Sequence, residues 1–406
     1  MCIRRTAARG AVAVPLLWIS SVAVAQTAGS GDAETDTDTA EIEAALAADA
    51  AAVEESRPAP APSPGLSLNP DISLVLDSAF AWFTAEEPLQ SGAHDPAGNG
   101  FAFQQLELDL SKVVDPYFRL DAFIVFRTEG VEVEEAFATT LALPGSLQIR
   151  AGQFLTRFGR INSQHPHVWD FADQPFAHGR MFGGEGQRGT GAEVSWLSPL
   201  PWYVEVVAST TNEAAAHGHE DEEELPEIPW GEGEEDGHIE DLYDLQHVVA
   251  IKQFFDLTDN ASLMWGVSGS FTRHEAIAGT DVYFKYRPIT RASNTVFIVQ
   301  AEALARVRHD GGEQYTDYGG YGQAMWKFSR HWGMGMRYEL AGEDELDPIA
   351  TDSRHRVALQ ATYWPTEYSR MRLQGGLDYP QWQDEPDYSA MLAVQFIIGA
   401  HGAHKF

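Results

Sequence analysis

From residue 70 onward the chain repeats one pattern, a stretch of about ten residues in which every second side chain is apolar. Leu106, Leu108 and Leu110 alternate with Gln105, Glu107 and Asp109. Phe297, Val299, Ala301, Ala303, Ala305 and Val307 alternate with Ile298, Gln300, Glu302, Leu304, Arg306 and Arg308. Successive side chains of a strand point to opposite faces, so this period of two gives each segment one face for lipid and one for water. Sixteen such units begin near Ile72, Phe101, Tyr117, Val131, Leu147, Gly189, Trp202, Leu242, Ala261, Thr280, Thr295, Tyr315, His331, Arg354, Tyr368 and Tyr388. No run approaches the roughly 18 apolar residues of a membrane-spanning helix. The expected fold is all-β, an outer-membrane β-barrel of about 16 antiparallel strands.

Connection lengths give an independent check, because such barrels pair short periplasmic turns with longer outer loops. Short links fall at Val114-Asp115-Pro116, Leu143-Pro144-Gly145, 198–201, 257–260, Arg287-Pro288-Ile289, Ser329-Arg330 and Trp364-Pro365-Thr366. Long links span 85–100, 155–188, 212–241 and 341–353, with shorter outer ones near Glu129, Glu275, Gly311 and Trp382. The two kinds alternate, which puts both ends of the barrel in the periplasm. Trp82, Trp196, Trp202, Tyr203, Trp326, Trp332, Tyr363, Trp364 and Tyr379 sit at strand ends, as interfacial aromatic girdles do. A pair of soluble β-sandwiches would also alternate, but with more continuously apolar buried strands.

Arg4 and Arg5 precede an apolar stretch that closes on Ala23-Val24-Ala25, the order of charge, apolar core and small residues in a secretory signal peptide over 1–25. Residues 26–69, rich in Ala, Asp, Glu, Thr and Pro, cannot bury a core and read as a disordered acidic periplasmic tail. The barrel takes 70–406. The one cysteine, Cys2, lies in the signal segment, which excludes cysteine chemistry in the exported protein. Twenty-seven basic against 60 acidic residues, a net charge of -33, excludes a nucleic-acid partner.

The segment after the fifth strand carries Gly152-Gln153-Phe154, Phe158-Gly159-Arg160-Ile161-Asn162, His165-Pro166-His167-Val168-Trp169, Asp173-Gln174-Pro175 and Phe182-Gly183-Gly184-Glu185-Gly186. With Ser195-Trp196-Leu197-Ser198-Pro199-Leu200-Pro201-Trp202-Tyr203 and the ending Gly402-Ala403-His404-Lys405-Phe406, residues 70–406 resemble the bacterial outer-membrane proteins called zinc-regulated, TonB-dependent receptors, related in architecture to the phosphate-selective porins. The resemblance implies a Gram-negative outer membrane, contact with its lipid and lipopolysaccharide, and assembly by the barrel-assembly machinery through the last strand and Phe406. A homotrimer follows only by analogy with porins. A TonB-gated transporter needs about 22 strands and a plug domain, so the chain reads instead as a porin-type channel for passive diffusion, with the third outer loop, 155–188, folded into the lumen.

Two histidine clusters are candidate metal ligands. Between Glu213 and Asp241 stand thirteen acids, no Lys or Arg, and His217, His219 and His238; with Glu220 these suit zinc among common divalent metals, as ligand or transported ion. A solvated acidic loop that binds nothing specific fits the same residues. His165, His167 and His178, with Asp170 and Asp173, form the second cluster on the constriction loop. The inward faces also carry Arg119, Arg127, Arg150, Glu302, Arg306, Arg308, Arg337, Arg356, Arg370 and Arg372, either a row for a phosphate-type anion or ion pairs that order the wall. No cofactor is required, and no Gly-x-Ser-x-Gly, His-Glu-x-x-His or phosphate loop marks an enzyme, leaving only unpatterned groups such as Ser268 and His247. A surface metal-binding or adhesion barrel that transports nothing is the remaining alternative.

Overall fold

A computed structural model describes residues 69–212, 242, 244–291 and 294–399. The strands are β1 (Asp71–Phe83), β2 (Gly100–Val113), β3 (Phe118–Phe126), β4 (Val131–Thr140), β5 (Leu147–Leu155), β6 (Arg188–Leu197), β7 (Tyr203–Thr211) and β8 (Gln246–Thr258). They continue as β9 (Ala261–Phe271), β10 (Glu275–Tyr286), β11 (Val296–Asp310), β12 (Glu313–Lys327), β13 (Trp332–Ala341), β14 (Arg354–Thr366), β15 (Ser369–Pro380) and β16 (Asp387–Gly399). Each pairs antiparallel with the next, and β1 closes on β16 with Ala79 opposite Ala393, so all sixteen form one closed barrel. Closure leaves no sheet edge, as a strand crossing lipid requires.

The period of two becomes the two faces of the wall. Along β1 the side chains of Ser73, Val75, Asp77, Ala79, Ala81 and Phe83 are buried inward, while Ile72, Phe80 and Trp82 are exposed outside. Leu359 and Leu373, each 59% exposed, stand on the outer wall. Exposed Trp196, Trp202, Trp326 and Trp332 mark the short-turn end, and Trp82 and Tyr379 the long-loop end.

Three boundaries differ from the sequence reading. β10 begins at Glu275 rather than Thr280, because Ala276, Ile277 and Ala278 are apolar on both faces; inward Ile277 packs with Phe158 and Leu304. β8 begins at Gln246 rather than Leu242, and the β14–β15 turn lies after Thr366. The signal and tail segments, the loop with His217, His219, Glu220 and His238, and Phe406 lie outside the described residues.

Of the four register shifts among the described strands, two bear on the interior. In β2 the register shifts at Asp77/Ser78, leaving Gln104 as an extra residue; in β4 it shifts at Phe123/Ile124, with Glu134 extra. A bulge turns two consecutive side chains toward one face, and Glu134 and Glu135 are both buried inside. Gly152 in β5 has φ 134°, and a Cβ there would stand 2.2 Å from the carbonyl oxygen of Ala136, so glycine lets β5 approach β4.

A charge on the outer face should reveal the membrane orientation. Leu359→Arg is expected to lower the free energy of folding into lipid vesicles by about 2–4 kcal/mol, read from urea equilibrium curves. An unchanged midpoint would mean that Leu359 does not face lipid.

Candidate functional site

A sixteen-stranded wall encloses more space than its own side chains fill, and residues 156–187 between β5 and β6 occupy that space. This segment includes the helix α1 (Phe176–Phe182), which Gly183 ends at φ 78°. Phe158, Met181 and Phe182 pack against Val248, Ile277 and Leu304 of the wall. Glu302 Oε1 accepts hydrogen bonds from the Ile161 and Arg160 amides at 2.7 and 3.2 Å, and Glu339 Oε2 accepts one from the Phe176 amide at 2.6 Å.

Asp173 is the hub of the plug. Arg337 Nη2 donates to its Oδ1 at 2.5 Å, Gln374 Nε2 donates to the same oxygen at 2.8 Å, and Arg356 pairs with Oδ2. Burial alone would push the Asp173 pKa up; Arg337 and Arg356 outweigh that and hold the carboxyl well below its usual range. Arg370 donates to the carbonyls of Trp169 and His167, and Arg372 to those of Trp169 and Phe171. The lumen arginines therefore hold backbone and carboxylates of the inserted segment and wall. Arg306 and Arg308 pair with Asp317 and Asp344, and Arg150 with Glu193. Arg127 pairs with Glu132 and Glu185, and Arg119 with Asp121 at the short-turn end.

At the bulges the wall and the inserted segment converge on a histidine–glutamate cluster, with the loop between β1 and β2 beside it. His165 Nδ1 and Nε2 lie 2.9 Å from Glu134 Oε2 and Glu135 Oε2, and His167 Nδ1 lies 2.9 Å from Glu107 Oε2. The two imidazoles stack at 5.7 Å. Burial disfavours a charged His165, but Glu134 and Glu107 prevail and raise its pKa well above the ordinary value. Beside them His94, from the loop between β1 and β2, has Nε2 3.4 Å from Glu185 Oε2.

The sequence grouping of His165, His167, His178, Asp170 and Asp173 is therefore corrected. Asp173 is taken by arginines. His165 has both ring nitrogens against carboxylates, and one ligand atom of it lies within 4.8 Å of ligand atoms of Glu107 and Glu134. His178 lies apart, with Nδ1 3.1 Å from Gln174 Nε2 and its ring against Phe182; burial lowers its pKa to about 3. Asp170 faces a different space. Among the residues that the sequence reading missed, the adjacent pair Glu134-Glu135 was the available signal, a break in alternation that a bulge explains. Ser268 accepts from the Gly159 amide at 3.0 Å inside the barrel, whereas His247, one residue off the inward register of β8, bonds Thr210, so the two are no pair.

At the short-turn end a cavity of about 750 Å³ is lined by Lys285, Arg287, Lys327, Arg330, His331, Trp364 and Glu367. Asp170 forms its inner wall and is shared with a smaller space of about 170 Å³ lined by Arg160, Tyr283, Gln300, Gln323 and Arg337. Arg160 lies 3.6 Å over the Tyr283 ring. Burial raises the Asp170 pKa against the pull of Arg370 and Arg160.

No protein-family model matches the chain. An uncharacterized protein of Aquifex aeolicus (strain VF5) is 33% identical over 394 residues, covering 83% of this chain and 80% of that protein. A loop L8 deletion mutant of OmpT, an outer membrane protein of Vibrio cholerae, is similar in structure with a TM-score of 0.52 at 9% identity, covering 81% of this chain and 99% of that one. The outer membrane channel DcaP of Acinetobacter baumannii gives 0.51 at 12% identity, covering 81% and 97%. At these identities the likeness is one of fold. The closed barrel with its apolar outer wall is an outer-membrane β-barrel of porin type, and its sixteen strands fall short of the roughly 22 of a TonB-gated transporter.

The plug network makes two predictions. Asp173→Asn leaves Arg337 and Arg356 without their buried counter-charge and is expected to cost about 3–5 kcal/mol of plug stability, seen as trypsin cleavage at Arg180 and larger single-channel conductance. Unchanged protection would show that the plug does not hang on this hub. His178 stays neutral in the folded plug with a pKa near 3, below the ordinary 6.5. Its contribution to stability is therefore full above about pH 6.5 and is lost as pH falls toward 3. The wild type should open to pepsin over the acid part of that window more than His178→Phe does; parallel pH profiles would remove His178 as a cause.

Proposed function

The chain belongs to the same family as the Aquifex aeolicus protein, and we propose that it forms a narrow passive diffusion channel for small solutes, favouring anions at its short-turn mouth. The observation that carries this reading is the 750 Å³ cavity, where Lys285, Arg287, Lys327 and Arg330 outnumber Asp170 and Glu367. A cleft of one sign with apolar walls focuses its field and raises the local concentration of the opposite ion. Small inorganic anions and carboxylates fit the charge, and the 156–187 plug limits passage to small solutes. Transport here needs no catalytic residue, so the protein acts as a channel rather than as an enzyme.

A second reading, uptake of zinc or another divalent cation, is favoured by the acid-rich stretch from Glu213 to Asp241 with His217, His219, Glu220 and His238. Such a loop would concentrate cations at the other mouth. The two readings differ in the sign of the reversal potential.

Purified full-length protein in a planar lipid bilayer under a KCl gradient should conduct with an anion-selective reversal potential. Lys285→Glu combined with Lys327→Glu should shift it toward cations. A cation-selective unmodified channel would reject the anion reading in favour of the second, and an absence of conductance would reject both.

A further inference from the structure

We propose that His94, Glu134 and Glu185 form a buried site for a divalent transition-metal cation that ties two inserted loops to the barrel wall. The three come from different parts of the chain: the β1–β2 loop, the bulge of β4 and the end of the 156–187 plug. One ligand atom from each lies within 4.8 Å of the other two, close enough for a single ion to reach all three.

Unmet bonding at the site is the second, independent observation. His94 is 5% exposed, and its Nδ1 has no hydrogen-bond partner. Its Nε2 and the buried Glu185 Oε2 face each other at 3.4 Å in a loose pair, without a well-formed hydrogen bond to either. Buried polar atoms left unpaired are costly, so such a concentration at one point calls for a ligand. An imidazole with two carboxylates suits zinc or a neighbouring transition ion better than calcium or magnesium, which take oxygen donors alone.

The surrounding groups hold the donors in place as outer partners of a metal site do. Gln104, turned inward by the β2 bulge, donates from Nε2 to the His94 carbonyl at 2.9 Å. Arg127 Nη1 lies 2.9 Å from Glu185 Oε1, which leaves Oε2 to face the histidine. His165 Nδ1 lies 2.9 Å from Glu134 Oε2 and orients that carboxylate. Glu185 is about a quarter exposed, and this is the side by which an ion would enter. The site owes nothing to the cationic cavity, so it stands whether or not the channel selects anions.

The test uses the full-length, tag-free, detergent-folded protein, treated with chelator, in which His217, His219 and His238 are changed to Ala to silence the acidic loop. Titration with zinc should give one site per chain, and cobalt should give visible ligand-field bands from the same site. His94→Ala and, separately, Glu185→Gln should abolish the cobalt bands and weaken zinc binding by a hundredfold or more. Heat-modifiable gel migration shows which variants retain the barrel; if His94→Ala does not, the conservative Glu185→Gln alone decides. No zinc uptake by the triple-Ala background, or unchanged stoichiometry and affinity in a folded Glu185→Gln variant, would overturn the proposal.

Discussion

Closing sixteen strands on themselves leaves the wall no open sheet edge but encloses a lumen that wall side chains cannot fill. The rest of the structure answers that constraint. Thirty-odd residues between β5 and β6 enter the lumen, and their backbone polar groups must find partners there. The inward faces supply them: Glu302 and Glu339 receive amides, Arg370 and Arg372 give to carbonyls, and Asp173 gathers two guanidinium groups. The inward side of the barrel is thus polar because it has to bind chain as well as water.

This explains how far the sequence could be read. Strand number, alternation and the parity of turns follow from a local rule, period two, and need no knowledge of the interior. Ile277 is hidden from that rule because it faces the plug cluster, so an apolar residue points inward and β10 loses its contrast. Glu134-Glu135 and Gln104-Gln105 break the rule at bulges, and a bulge depends on how the neighbouring strand pairs, which no single segment encodes. The arginines were visible as inward charges, but whether they meet a solute or the chain itself depends on where residues 156–187 lie.

The same logic separates the two ends of the lumen. Near the long-loop end the charges are paired: Arg127 and Arg188 with Glu132, Arg306 and Arg308 with Asp317 and Asp344. Toward the short turns the plug stops, and Lys285, Lys327, Arg287 and Arg330 gather around one cavity with fewer acids. The sign of the charge that lines this cavity is what a permeating ion meets there. A chain with a net charge of -33 can therefore present a basic mouth, since selectivity depends on the local lining and not on the sum.

Why ion pairs are among the bonds that hold the plug is itself a physical question, because replacing a buried pair by apolar groups is often neutral or stabilising. An apolar plug against an apolar lumen would exclude water, and a dewetted constriction is closed to ions. It would also have little to fix its register, since dispersion contacts are non-directional. Arg337 on one oxygen of Asp173 and Arg356 on the other, with Gln374 on the same oxygen as Arg337, admit one placement of the segment. Apolar contacts meet the segment on several sides: Phe158, Met181 and Phe182 pack on Val248, Ile277 and Leu304, Phe171 on Met325 and Ala358, and Ala172 on Ala79 and Ala393. Packing supplies contact area on each of these sides, and the directional charge pairs among them fix the register of the plug while leaving polar groups in the lumen for water.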